Sequence, residues 1–500
     1  TILMEEQMRL KQKRQILQLV NTLFEAHNEI KKHLERKDNQ IVLSILIDCQ
    51  DAALKIGNTI ERLEDDKLEV INYLVAYCEL LYKLSNSMDS TVNYYKEIKI
   101  LNKYLLKIKS YIKNNIEGKA EIVFLPYKAS MWDSMESIWK AAYQDSSCSA
   151  YVVPIPYYDR ESGGMFGKMH YEGNDLPEYV PIVDYKDYDI ATREPDIIYF
   201  HNPFDQYNHI TSVHPAFYSS NLKKYTDMLV YVPYFISTTY ERLEAFANAQ
   251  ITTGAINANK IIAQSDIHKD MFVKAGLDEM KILVTGSPKA DAALDMDKYK
   301  LKIPWDWQSK LQDKKVIILN STIGSLLGEN DYIVKLKKTI DKLILHDNIA
   351  LIWRPHPLFE ATILSMRPQF YDEYKNMILE MENSQNVILD FSSDAYTAMA
   401  ISDGMISDLS SLACQYFITG KPVLMLDGKR ELKNETMYIF DHFSCYFLHD
   451  GFSIENFCNM LLKGEDYLKD KRMEDLKKSI VNLDGTCGIK THKMIIDCLM

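Results

Sequence analysis

Between Ser402 and Leu426 the chain reads S-D-G-M-I-S-D-L-S-S-L-A-C-Q-Y-F-I-T-G-K-P-V-L-M-L, an order of residue types that few folds accept. Gly404-Met405-Ile406 is apolar and strand-like, and Asp408 and Ser410 are helix N-cap types. Leu412, Ala413, Tyr416 and Phe417 recur at three to four residues and so share one helical face. Gly420 suits a left-handed C-cap, Pro422 blocks continuation, and Val423-Leu424-Met425-Leu426 is the apolar run of a doubly covered parallel strand. The unit is βαβ, with Asp408, Ser410 and Ser411 at the C-terminal end of its first strand. Free N–H groups there favour an anion. The bland alternative is a well-capped helix between two core strands.

About fifty residues upstream, Ile349-Ala350-Leu351-Ile352-Trp353 leads into Arg354-Pro355-His356-Pro357. A buried strand thus ends in two polar side chains fixed by prolines. Arginine is a forked donor for phosphate, and histidine donates to an oxyanion or moves a proton near neutral pH. An R-P-H-P by itself could be an ordinary strand terminus. Its spacing from S-D-L-S-S makes a paired site the stronger reading.

Taken together, these motifs resemble the CDP-glycerol glycerophosphotransferases, a GT-B family that polymerises teichoic acid backbones. Thr285-Gly286-Ser287-Pro288-Lys289-Ala290-Asp291 resembles that family's G-x-P-R-N-D, with Lys289 for Arg and Ala290 for Asn. Arg354-Pro355-His356-Pro357 resembles R-x-H-P, and Ser407-Asp408-Leu409-Ser410-Ser411 resembles T/S-D-Y-S-S. Asp484-Gly485-Thr486-Cys487-Gly488 is similar to its closing D-G-x-x-G. The resemblance implies an α/β chain with two Rossmann-like domains facing a cleft, the second holding a nucleotide-activated donor and the first an acceptor.

Five hundred residues exceed one core, and 47% hydrophobic with 26% charged residues describes a soluble globular chain. No run of eighteen apolar residues appears, and the start of the chain has no basic stretch followed by an apolar core. The eight cysteines are scattered with no CxxC, the pattern of reduced thiols rather than a disulfide framework or zinc site. These features set the expectation of a cytoplasmic protein, working at the inner face of the membrane if its acceptor is lipid-linked. A net charge of −12 argues against a nucleic-acid binder.

Residues 1–116 hold no proline and one glycine, Gly57. Ile16, Val20, Leu23, His27, Ile30 and Leu34 step by three and four. Ile45, Cys49, Ala52, Ile56, Ile60 and Leu63 make a second stripe, Leu68 to Leu84 a third. Tyr95, Ile98, Leu101, Leu105 and Ile108 form a fourth, on a helix expected over Thr91–Lys113. The segment is expected to be a helical or coiled-coil domain, with His27 as a polar core residue and self-association through the helices.

From Asn114-Asn115-Ile116-Glu117-Gly118 onwards, short apolar runs alternate with helical stretches. We place a first Rossmann-like acceptor domain at 117–300 and a second, nucleotide-donor domain at 301–500. A helix is expected from Met131 to Ala142, and Asp159–Gly167, rich in glycine, as a surface loop or lid. No G-x-G-x-x-G follows a strand, so no dinucleotide cofactor is expected. His201, after the strand Ile197–Phe200, is the candidate base, with Asp205 as its orienting group and His209 or His214 as substitutes. H-x7-H-x4-H lacks metal-site spacing, and Lys223 and Lys224 suit a solvated helix face. The resemblance puts a W-H-G-T-P-L-K-like motif near His201, of which this chain keeps only the His and a nearby Pro. Asn320-Ser321-Thr322-Ile323-Gly324-Ser325 is the polar loop after the first strand of the second domain.

The implied reaction moves glycerol phosphate, or a related polyol phosphate, from a CDP-activated donor to a polyol-phosphate, glycan or lipid-linked hydroxyl acceptor. Arg354, His356, Asp408, Ser410, Ser411, Ser321, Thr322, Gly286 and Lys289 are the expected donor-side residues, with His201 and His356 catalytic. No acidic pair for a divalent ion stands out, so metal-independent transfer is expected. Two alternatives remain at the level of sequence: a GT-B glycosyltransferase or sugar-nucleotide epimerase, and a non-catalytic transferase relative acting as an assembly factor.

Overall fold

The computed structural model describes residues 7–63, 68–87, 93–161, 164–208, 210–237, 240, 242–300, 302–392, 395–408, 410–426, 444–448 and 451–499. Two compact units emerge. One comprises residues 1–123, 142–151 and 192–197, the other residues 124–141, 152–191 and 198–500.

The first unit is built on four helices, α1 (Leu10–Arg36), α2 (Asn39–Leu63), α3 (Leu68–Ser85) and α4 (Tyr94–Asn115). Their stripes bury against one another in a single core containing Val20, Leu46, Ile56, Leu74, Leu81, Leu101 and Ile108. On α2 the buried set is Val42, Leu46, Cys49, Ala53, Ile56 and Ile60, so the seam lies one position beyond Ile45 and Ala52. On α4 the inward residues are Ile98, Leu101, Leu105, Ile108 and Ile112, while Tyr95 points outward. His27 is fully buried, Nδ1 facing Asn102 Oδ1 at 2.7 Å and Nε2 facing Tyr77 Oη at 2.8 Å. Both ring nitrogens are satisfied inside the core, and burial lowers its pKa, so it stays neutral.

Among the described residues the strands that follow are β1 (Ala120–Leu125), β2 (Cys148–Val152), β3 (Tyr157–Arg160), β4 (Phe166–His170), β5 (Ile197–Phe200), β6 (Thr211–Val213), β7 (Met228–Tyr231), β8 (Lys260–Ala263), β9 (Ile282–Val284), β10 (Lys315–Ser321), β11 (Ile349–Pro355), β12 (Val387–Leu389), β13 (Gly404–Ser407), β14 (Val423–Met425) and β15 (Tyr446–Phe447). One six-stranded sheet has the order β2-β1-β5-β7-β8-β9, a second β12-β11-β10-β13-β14-β15. The segment expected as a lid instead contributes to a three-stranded antiparallel sheet, β4-β3-β6, because Tyr157 to Arg160 pairs with both neighbours.

In the second sheet β10 is central and parallel to both β11 and β13. Val316 and Ile318 face one apolar layer, Ile317 and Leu319 the other, so both faces are covered by helices. The chain runs outward through β10, β11 and β12, then returns to β13 beside β10. That reversal opens a crevice at the carboxyl ends of β10 and β13, where sheets of this kind bind ligands. The helix Ser411–Phe417 is capped by Ile418 in right-handed conformation, and Gly420, expected as the cap, takes its left-handed φ of 73° two residues later, in the turn that leads to β14.

Candidate functional site

Strand register decides which side chains share the crevice. Asn320 lies level with Arg354 on one side and Ser407 on the other, and Ser321 lies level with Pro355. Asn320 Nδ2 donates across the crevice to Ser407 Oγ at 2.9 Å and Ser410 Oγ at 3.1 Å. Ser410 caps its helix by accepting Ala413 N–H at 3.1 Å, and Thr322 caps Ile323–Gly328 by accepting Ser325 N–H at 3.2 Å. Asp408 is buried, and its Oδ2 accepts from Tyr332 Oη at 2.6 Å and from Thr322 N–H at 3.4 Å. Ser411 sits exposed at the first helical position. Leu409 lies outside the described residues.

His356 is tied to β10 by its N–H to Ser321 O at 3.0 Å. Its Nδ1 accepts Leu358 N–H at 3.1 Å, which puts the neutral ring's proton on Nε2. Desolvation lowers its pKa, so the ring offers a neutral Nε2–H donor at the exposed rim. Ser321 is buried, its Oγ accepting Trp353 Nε1–H at 3.1 Å, so it braces β11 rather than facing the crevice.

Arg354 is likewise turned inward. Its Nη1 donates to buried Asp390 and, at 3.2 Å, to Ser392 Oγ; Nη2 donates to Ser392 O at 2.7 Å. The guanidinium therefore fixes the segment after β12, and its expected phosphate contact is displaced by an internal pair.

The other expected residues collect at the first sheet. Gly286 has φ 93°, and a Cβ there would lie 2.4 Å from Val481 O and 2.5 Å from Cys487 Sγ. It meets a backbone demand, not a ligand's. Asp291 accepts the N–H groups of Cys487 at 3.2 Å and Gly488 at 2.9 Å, so the first and last motifs meet directly. Lys289 Nζ pairs with Asp133 Oδ2 at 2.5 Å, and Tyr396 Oη donates to the same oxygen at 2.5 Å.

His201 is fully buried. Nε2 accepts Tyr127 N–H at 3.2 Å, and Nδ1 faces Ser134 Oγ at 3.2 Å, which donates onward to Met131 O at 2.7 Å. Burial, reinforced by Lys289, pushes its pKa to about 3. The role of proton acceptor expected of His201 thus meets a ring with neither nitrogen open. Asp205 does not orient it: its carboxylate accepts Ser219 N–H at 3.1 and 3.0 Å and Ser219 Oγ–H at 2.5 Å. His214 Nδ1 caps the turn Pro215–Phe217 by accepting Ala216 N–H at 3.2 Å. His209 lies outside the described residues.

Tyr332, Asp390, Asp133 and Tyr396 escaped the sequence reading, and Asn320, expected in a polar loop, lies within the strand β10. Asp390 had a signal, a polar residue closing the strand Val387–Leu389. Asp133 had none, because a 3-10 turn at Ala129–Ser134 replaces the expected start of the helix, which begins at Glu136.

Residues 236–431 match the family model of CDP-glycerol:poly(glycerophosphate) glycerophosphotransferase. No curated protein matches the chain by sequence. Among solved structures, the wall teichoic acid polymerase TagF is similar at TM-score 0.50 and 13% identity, covering 87% of this chain and 98% of that one. A UDP-N-acetylglucosamine 2-epimerase from Listeria monocytogenes gives TM-score 0.49 and 13% identity over 76% of this chain and 97% of its own. The likeness to TagF is one of fold, a GT-B pair of α/β domains. The segment similar to the CDP-glycerol glycerophosphotransferase family, residues 236–431, holds Gly286, Arg354, His356 and Asp408.

Proposed function

We propose that the chain is a transferase that moves glycerol phosphate, or a related polyol phosphate, from a CDP-activated donor to a hydroxyl acceptor during synthesis of a cell-envelope polymer. The observation that carries this reading is that hydrogen bonds tie Ser410 to Asn320, His356 to Ser321 and Thr322 to Asp408 at the carboxyl ends of β10, β11 and β13, inside the family-matched segment.

Phosphoryl transfer asks the protein chiefly for positioning and charge stabilisation. His356 Nε2–H, the hydroxyls of Thr322, Ser410 and Ser411 and nearby backbone N–H groups supply neutral donors to the donor's diphosphate. Asn320 and Asp408 hold that arrangement rigid. Lys289, expected on the donor side, is paired with Asp133, and Arg354 acts by fixing the segment around Ser392. No described helix is long and apolar enough to cross a membrane. In this reading the chain works in the cytoplasm, meets the inner membrane face through its acceptor, and uses the N-terminal helices (1–116) for self-association or docking ahead of acceptor (117–300) and donor (301–500) domains.

The test is a thermal-shift panel of CDP-glycerol, CDP-ribitol, CDP, UDP-sugars and GDP-sugars, followed by CMP release with the best binder. Stabilisation by CDP-polyols with CMP release supports the reading. Selective stabilisation by UDP-sugars, without CMP release, replaces it with the sugar-nucleotide alternative.

A further inference from the structure

If the acceptor hydroxyl loses its proton to a protein group, His201 is a poor recipient, since Tyr127 N–H occupies Nε2 and Nδ1 is turned to Ser134. One residue before Ser134 stands Asp133, nine-tenths buried. Its two oxygens are unequal. Oδ2 receives Lys289 Nζ and Tyr396 Oη, each at 2.5 Å, while Oδ1 is buried with no hydrogen-bond partner among the described residues. Trp132 Nε1 and Ser137 Oγ, on the same stretch, are buried in the same condition. An unpaired buried acceptor is costly and calls for an explanation, of which a role in a reaction is one.

The anchors of Oδ2 also fix where Asp133 stands. Lys289 belongs to the motif that follows β9 in the first sheet. Tyr396 comes from the helix before β13 in the second sheet and stacks on Tyr299 at 4.8 Å. Asp133 therefore lies where residues of both sheets meet, between the acceptor and donor sides of the proposed reaction. A carboxylate held through one oxygen, with the lone pairs of the other free, is the form of base that orients a hydroxyl for phosphoryl transfer.

We propose that Asp133 Oδ1 is the proton acceptor for the attacking hydroxyl, with Lys289 and Tyr396 as its positioning residues. The inference rests on the transferase reading above. In the step, the acceptor oxygen forms a bond to the donor's outer phosphorus and the bond from that phosphorus to the CMP oxygen breaks. The hydroxyl proton moves to Oδ1 and then to solvent, and CMP leaves with the electron pair. Lys289, paired to Oδ2, holds the carboxylate aligned so that Oδ1 keeps its place.

The test is Asp133→Asn in the full chain, with wild type alongside, reading CDP and CMP affinity by calorimetry and CMP release in single turnover. The expected result is a fall in turnover of about 10²-fold or more, nucleotide affinity within about threefold, and loss of the acidic limb of the pH–rate profile. Asp133→Glu, which keeps a carboxylate, should retain that limb and serves if the Asn variant misfolds. Turnover within tenfold of wild type overturns the inference, as does a loss of nucleotide affinity equal to the loss of turnover. A wild-type chain that releases no CMP from any CDP-polyol counts against the transferase reading, and with it against the base.

Discussion

The Tyr332 hydroxyl donates to Asp408 Oδ2 at 2.6 Å, joining the first turn of the helix Tyr332–Ile344 to the loop after β13. Burial, and after it the Asp408 charge, raises the pKa of Tyr332, so the phenol remains a donor at any working pH. The same carboxylate oxygen accepts Thr322 N–H, which locks both rims of the crevice together.

Tyr332→Phe removes that donor and leaves Asp408 short of a partner in a buried site. The expected cost is about 1–3 kcal/mol of folding stability, read by urea denaturation, together with weaker CDP binding. Unchanged nucleotide affinity would separate this lock from the donor site.

Arg354 tests structure against ligand contact. Because Asp390 is buried beside it, Arg354→Ala strands a carboxylate and should destabilise the chain by about 3–5 kcal/mol. Arg354→Ala combined with Asp390→Ala should recover much of that loss. If the single variant unfolds normally yet loses nucleotide affinity, the guanidinium touches phosphate after all.

Gly286→Ala should lower stability by more than about 2 kcal/mol, because its left-handed φ and the packing against Val481 O and Cys487 Sγ leave no room for a methyl group. Chemical denaturation of the folded fraction checks it.

These three residues show what a sequence discloses. The strands and stripes were legible because Ile317 to Leu319 and Ile349 to Trp353 are unbroken apolar runs and Val20, Leu23 and Ile30 recur at helical spacing. The polar ends of β10, β11 and β13 were legible too, since each run stops in hydroxyl, arginine or aspartate residues. What they bond to was not. Arg354 is consumed by a residue 36 positions away and Asp133 by one 263 positions away, distances at which no local pattern operates. Gly286 looked like a ligand-facing glycine because a tight backbone and a phosphate cradle call for the same residue.

Asp205 carries a pH signature. Burial lifts its pKa to about 6, well above the value of about 4 for an unfolded aspartate. The folded state therefore holds the proton more tightly. This group's contribution to stability is fully present below about pH 4 and is lost as pH rises through about 6. Asp205→Asn, which removes the buried charge, should be more stable than wild type at pH 7.5, with the difference shrinking as pH falls from about 6 to about 4. A difference that is constant with pH would place the titration elsewhere.

The central claim is that the crevice between β10 and β13 binds the donor's diphosphate through His356 and its hydroxyl neighbours. Calorimetric titration of CDP-glycerol into wild type and His356→Ala tests it most directly, with unfolding midpoints measured in parallel. The account predicts saturable binding by wild type and affinity reduced at least about tenfold in the variant, the loss of one well-placed hydrogen bond, at an unchanged midpoint. Equal affinity in both proteins, or no binding of CDP-glycerol by wild type, would contradict it.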